Sequence, residues 1–171
     1  PLLAGHTVDH HGEFYDAPEA IIRPAPVPPV PVTIGGRSDA AVRRAGRRGD
    51  GWLASWCSPR RFAEGVGIAE QEAADAGRAD VAWRHGYQIW IGLGDTPAAG
   101  AAVLGPAMEK FYGAPYSAFE RYSPVGTPAD IAEWLRPYVE AGAVDFNLAP
   151  IASTDAERVE GAAEVRRLLL T

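Results

Sequence analysis

Two adjacent glycines, Gly35 and Gly36, stand between a β-branched run and a serine suited to cap a helix, an arrangement that suits an anion. Pro31-Val32-Thr33-Ile34 reads as a strand, Arg37-Ser38 follows the glycines, and Ala40 to Arg48 has the composition of a helix closing on Gly49-Asp50-Gly51-Trp52. A glycine pair lets a ligand approach the main chain with no Cβ in the way. The helix behind it offers unpaired N–H groups and the positive end of its dipole. Gly35 and Gly36 are therefore expected to floor a phosphate site. The competing reading is a plain turn at a strand end.

Other residues with chemical potential carry less. His10 and His11 are adjacent, and on an extended segment their side chains point to opposite faces, so a surface turn is expected rather than a shared metal. His6 and His85 have no partner at ligand spacing. Cys57 follows Trp56 and has Arg60 and Arg61 nearby, but a nucleophilic thiolate is not the favoured reading. Asp145 and Asn147 share one face of a strand by its period of two and would point to a common side. No Ser-His-Asp grouping and no zinc spacing is present. The arginines between Arg37 and Arg48 read as a solvated helix face.

Positioning these groups falls to alternating strands and helices. Gly5 to Tyr15 is expected to form a hairpin. Ile21 to Pro31 carries prolines at 24, 26, 28, 29 and 31 and is expected to run extended, as a strap leading into the next strand. Strands are predicted at Val30–Ile34, Gly51–Ser55, Val81–Leu93 and Val144–Ala149. Helices are predicted at Ser38–Arg48, from Ser58-Pro59 to Ala76, from Thr96-Pro97 toward Phe111, from Thr127-Pro128 to Ala141, and from Asp155 to Leu170. Three of these helices open on a hydroxyl cap followed by proline. Tyr112 to Tyr122 is a looser aromatic stretch. Such alternation implies parallel strands joined by right-handed crossovers. Four β/α units are too few for a closed (β/α)8 barrel, which takes about 250 residues. The chain is thus a small open α/β sheet or half of a barrel.

Composition narrows the function classes. The 171 residues suffice for one domain, and 47% hydrophobic with 22% charged residues is ordinary for a globular protein. A formal net charge of -6 argues against a nucleic-acid surface. The single cysteine excludes an internal disulfide and fits a reducing compartment. No stretch is apolar for long enough to span a bilayer and the start of the chain lacks a signal-peptide pattern, so cytoplasmic residence is the expectation.

The motifs, taken in order, have a further meaning. Gly12-Glu13-Phe14-Tyr15, the proline strap, Ile34-Gly35-Gly36-Arg37-Ser38, Gly49-Asp50-Gly51-Trp52, Ala76-Gly77-Arg78, Gly126-Thr127-Pro128 and Glu140-Ala141-Gly142 follow one another as in the bacterial luciferase-like monooxygenase superfamily. The chain resembles its flavin- or coenzyme F420-dependent oxidoreductases over nearly its whole length. Members are full TIM-type barrels, so the resemblance implies an incomplete (β/α)8 barrel, the C-terminal half, comprising the hairpin and strap (1–29) and the β/α units (30–171). It further implies that Gly35 and Gly36 lie against a cofactor phosphate, with Arg37 and Ser38 beside them, and that Ser55 and Trp56 line the ring or substrate. Asp50 is expected to be a turn residue. The implied cofactor is coenzyme F420 or FMN, with F420 favoured by the I-G-G to G-D-G-W pattern, and the implied reaction is hydride transfer or oxygen activation on a small organic substrate. Two other readings stay open. One is a non-catalytic half-barrel that works only by pairing with a missing N-terminal half or a second copy. The other is a phosphate-binding barrel lyase or isomerase.

Overall fold

The structure, a computed structural model, describes residues 1–171, which form two compact units, residues 1–32 and 33–171. In the first unit, strand β1 (Val8–His11) pairs antiparallel with β2 (Asp16–Ala20). The expected hairpin is there, but its second strand lies later than the sequence suggests. His11 pairs with Asp16, so Phe14 and Tyr15 sit in the loop, each 80% exposed, despite their strand-like composition. The loop closes where the Gly12 amide donates to the Tyr15 carbonyl at 3.0 Å. The register shifts between Val8 and His10, and there the Asp9 carboxylate accepts the Glu19 amide at 2.7 Å. The strap does not run straight. It bends around Pro24 and Pro28, each preceded by a cis peptide, a form that X–Pro bonds tolerate.

The second unit alternates strand and helix as expected, in the order β3 (Thr33–Gly35), α1 (Asp39–Arg48), β4 (Gly51–Ser55), α2 (Pro59–Asp75), β5 (Gly86–Leu93), α3 (Pro97–Tyr112), β6 (Val125–Gly126), α4 (Pro128–Glu140), β7 (Asp145–Ile151) and α5 (Asp155–Leu169). Every helix starts on a hydroxyl residue, Ser38, Ser58, Thr96, Thr127 or Thr154, whose side chain accepts the amide three residues on. Each such cap contributes about 1 kcal/mol. Thr127 and Thr154 form reciprocal capping boxes with Asp130 and Glu157. At the other end of α1, Arg78 donates to the carbonyls of Gly46 and Gly49 at 2.6 and 2.9 Å, which ties the turn after α2 to the exit of α1. No helix is long and apolar enough to cross a membrane.

All strand pairs in this unit are parallel. The main path is β3-β4-β5-β7, and the two-residue β6, which the sequence does not announce, lies beside the end of β5 through Gly92 and Val125. β5 begins at Gly86 rather than Val81 because the residues before it are engaged elsewhere. Trp83 stacks on His85 with ring centroids 4.8 Å apart, and the Arg84 guanidinium makes a two-toothed pair with the Asp145 carboxylate at 2.7 and 3.0 Å.

The two faces of the sheet differ. On one, Trp52, Ala54, Tyr87, Ile89, Ile91 and Leu93 pack against Val42 and Ala45 of α1, Phe62 of α2, Ile131, Leu135 and Tyr138 of α4, and Val165 of α5 in a single core. Burying each of the larger side chains stabilises the fold by about 1.5–3 kcal/mol. The other face is opened by Leu53, Ser55, Gln88, Trp90 and Asn147, and strand register brings Ser55, Gln88 and Asn147 into one row across three strands. Helix α3 belongs to this second face. A Cβ added to Gly92 would stand 2.4 Å from the Gly100 carbonyl oxygen, and one added to Gly100 would stand 2.4 Å from that of Gly92. The helix and the strand therefore touch main chain to main chain, and only glycine at both positions allows it.

Candidate functional site

The C-terminal ends of β3 and β4 carry the groups singled out in the sequence. The chain leaves β3 at Gly35, turns at Gly36 and enters α1 behind the Ser38 cap. The two glycines are not equivalent. Gly36 has φ 139, and a Cβ there would lie 2.5 Å from that of Ala41, so no side chain fits. At Gly35 a Cβ would meet only the Leu53 carbonyl oxygen at 3.8 Å, an ordinary contact. Gly36 is held in place by its own carbonyl, which accepts the Trp52 indole N–H at 2.7 Å. The amides of Arg37 and Ser38 donate to no acceptor in the chain, whereas that of Gly36 faces the Leu53 carbonyl in the β3–β4 ladder. Two consecutive unspent N–H groups at the mouth of a ten-residue helix are donors of the kind that suit an anion.

Next to these donors lies a cleft of about 470 Å³. Arg37, Ser38, Ser55 and Trp56 line it, so the structure brings together four of the six predicted residues, with Gly35 and Gly36 at its rim. Cys57, which follows Trp56, also lines it, and Trp52, Ser58, Arg61 and Tyr122, which were not anticipated, complete the lining. The two arginines play different parts. Arg61 is bound to the Asp39 carboxylate in a short ion pair. Arg37 is exposed and has no carboxylate partner, and its guanidinium lies over the Trp56 ring, 5.6 Å from the centroid. A cation–π contact of this kind holds the side chain beside the cleft without neutralising it.

Trp56 itself has φ 48, a left-handed conformation that a bulky side chain seldom adopts. It packs edge-on to Tyr112 and tilted against Phe119, both with centroids 5.1 Å away. Tyr112 in turn accepts the Trp90 indole N–H at 2.9 Å. The segment after β5 thus roofs the second face of the sheet with aromatic rings drawn from α3 and from the turns at Tyr116–Ala118 and Glu120–Tyr122. The looser aromatic stretch of the sequence is this roof.

The remaining candidates are placed plainly. Cys57 is half-buried, and burial pushes its thiol up to about 11 in spite of Arg61 and Arg37, so it is no ready nucleophile. Asp145 is committed to Arg84, while Asn147 is exposed on the open face. Asp50 sits at the turn before β4 and lies 3.6 Å from Arg78. His11 pairs with Asp16 at 3.2 Å, on the surface. His85 is buried, and its Nδ1 accepts the Trp52 amide at 3.2 Å, which assigns the proton to Nε2.

With the geometry in hand, the kinship of the chain is plain. Residues 1–123 match the luciferase-like monooxygenases, and the chain belongs to that family. An uncharacterized protein of Mycobacterium tuberculosis is 38% identical over 77 residues, 45% of this chain and 26% of that protein. An uncharacterized protein of Mycobacterium bovis matches to the same extent. The chain spans about a quarter of these relatives' length. Among solved structures, an F420-dependent secondary alcohol dehydrogenase in complex with an F420–acetone adduct superposes with TM-score 0.77 at 15% identity, over 98% of this chain and 58% of that one. The coenzyme F420-dependent tetrahydromethanopterin reductase of Methanopyrus kandleri gives TM-score 0.74 at 16% identity, over 97% and 59%. A monooxygenase from Streptomyces bottropensis gives 0.69 at 17%, over 99% and 56%. At such identities the likeness concerns the fold, an α/β barrel of the TIM type that is incomplete in this chain.

Proposed function

We propose that this chain is the C-terminal half of a luciferase-like oxidoreductase, and that the rim formed by β3, β4 and the start of α1 holds the phosphate of FMN or coenzyme F420. The observation that carries the reading is the pair of unspent amides at Arg37 and Ser38 beside a guanidinium that no carboxylate neutralises. The donor set fits a phosphate ester, since main-chain N–H groups and an arginine fork both suit its oxygens. The names of two of the solved structures, both F420-dependent, favour the deazaflavin.

When bound, the cofactor supplies the redox chemistry by taking up or releasing a hydride, or by activating oxygen in its reduced form. The chain's own residues do the rest. Arg37 and Ser38 bind the phosphate, and Gly36 leaves it room to approach. Trp56, backed by Tyr112 and Phe119, offers an aromatic wall to a planar ring. Gln88 and Asn147 present amides on the open face, where they can orient polar edges of a ring or a small organic substrate. The roof after β5 packs over Trp56 and Trp90. Along the row Ser55, Gln88 and Asn147 no side chain titrates near neutrality, so any proton that must be moved at that level comes from outside this chain.

Fluorescence titration of the chain with FMN, coenzyme F420 and riboflavin tests the assignment. The two phosphorylated ligands are expected to bind at least tenfold tighter than riboflavin, a difference of about 1.4 kcal/mol. Equal affinities would overturn the phosphate site.

One observation supports a second reading, in which the chain acts only when paired. The outer edge of β7 meets no strand, and beside it runs a groove of about 840 Å³ lined in part by Val144, Phe146, Leu148 and Leu169. An open edge of this kind is a template for another strand. Sedimentation analysis of the chain with and without ligand separates the two readings, since a monomer that binds FMN or F420 excludes an obligatory partner.

A further inference from the structure

The loop that carries Trp56 is gripped by two tyrosines that come from distant parts of the chain. The residue after Trp56, Cys57, has both of its main-chain groups engaged. Its amide donates to the Tyr87 hydroxyl at 3.3 Å, and its carbonyl accepts from the hydroxyls of Tyr87 at 3.0 Å and Tyr138 at 2.6 Å. Tyr87 is 30 residues away on β5 and Tyr138 is 81 residues away on α4. Their rings stack with centroids 4.2 Å apart and are 0% and 1% exposed. Phe62 closes on both edge-first, at 6.1 and 6.0 Å. Burial pushes Tyr87 up to about 12 and raises Tyr138 beyond the ordinary range, so both hydroxyls remain donors throughout the pH range of the protein.

A buried phenol needs a partner, and one tyrosine on one carbonyl would be no more than that. Here two hydroxyls from separate elements converge on a single carbonyl, directly after the left-handed Trp56, whose ring lines the cleft. A residue kept in a sparsely populated conformation persists only where its surroundings hold it there, and such residues cluster at functional sites. We propose that Tyr138 is a positioning residue that acts, together with Tyr87, through the main chain of Cys57 to keep Trp56 left-handed and so to set the aromatic wall of the site. The inference rests on the assignment of this cleft as the cofactor site.

The test uses the full chain labelled with 5-fluorotryptophan, with the Trp56 resonance identified by its loss in Trp56→Phe. In Tyr138→Phe and in Tyr87→Phe that resonance is expected to shift or broaden while Trp83, remote from the clamp, holds still. An unchanged Trp56 resonance in both variants would overturn the proposal. Riboflavin, which has the ring but no phosphate, is expected to bind Tyr138→Phe roughly tenfold more weakly, with inorganic phosphate binding unaltered. A moved resonance with unaltered riboflavin affinity would reduce the tyrosines to a packing role. If the unaltered chain binds none of riboflavin, FMN and coenzyme F420, the cofactor assignment fails, and the fluorine spectra alone decide the clamp. Hydrogen exchange at the Cys57 amide of the unaltered chain needs no variant: protection is expected, and exchange at the rate of a free loop would refute the grip.

Discussion

The guanidinium of Arg37 rests 5.6 Å from the centroid of the Trp56 ring, so the cleft's uncommitted charge and its aromatic wall are in contact. On the proposed assignment, phosphate and ring would be bound side by side on one surface. Arg37→Gln removes the charge but leaves the exposed surface otherwise intact. It is expected to weaken FMN by about 1.5–3 kcal/mol, the range for hydrogen bonds to charged groups, with riboflavin affinity and urea midpoint unchanged. Parallel titrations with the two ligands check this.

The glycine pair separates into one position fixed by conformation and one left open. Gly36→Ala forces a side chain onto φ 139 and against Ala41, and is expected to destabilise the fold by about 2 kcal/mol. Gly35→Ala meets no close contact and is expected to change stability by less than about 0.5 kcal/mol while still weakening FMN, because its methyl group would stand at the rim. Urea unfolding and FMN titration of the two variants give opposite patterns if the assignment holds.

Acid should loosen the fold through His85. Burial lowers its pKa from the usual 6.5 to about 4, so the unfolded chain binds more protons between those values. Stability is then complete above about pH 6.5 and is lost as the pH falls toward 4, by about 3 kcal/mol in all. In His85→Gln, whose amide oxygen can still accept the Trp52 N–H, that histidine-specific slope should vanish from a series of urea midpoints taken between pH 4 and 7.

Helix α3 depends on bare main-chain contact with β5. Gly100→Ala would place a carbon 2.4 Å from the Gly92 carbonyl oxygen and 2.8 Å from the Gly126 amide nitrogen. A loss of about 1–3 kcal/mol is expected, as for other overpacked positions. The roof should lift with it, and breaking the contact of Trp90 with Tyr112 would register as a change in tryptophan emission.

The features legible in the sequence are those whose physics is local. A cap acts over three residues, which is why Ser58-Pro59, Thr96-Pro97 and Thr127-Pro128 mark helix starts that the structure repeats. The junction of β3 with α1 was legible for the same reason, since strand, glycines and cap are consecutive. The clamp was not, because Tyr87 and Tyr138 meet only after two crossovers have formed. One signal was available: Tyr138 continues the apolar stripe of Ile131 and Leu135 on α4, and a phenol on a core stripe must find a partner for its hydroxyl. The side of the sheet taken by α3 left no trace either. Gly92 and Gly100 lie in different elements, and nothing in the periodicity of either tells that they touch. The late second strand of the hairpin was hidden because Phe14 and Tyr15 look like strand residues and are spent on a loop.

The contact of Gly92 with Gly100 has a corollary for redesign. Helix α3 is bolted to the sheet at its first turn, so exchanges there strain the scaffold. The aromatic side chains beyond Gly105 stand clear of that joint and can be traded one at a time.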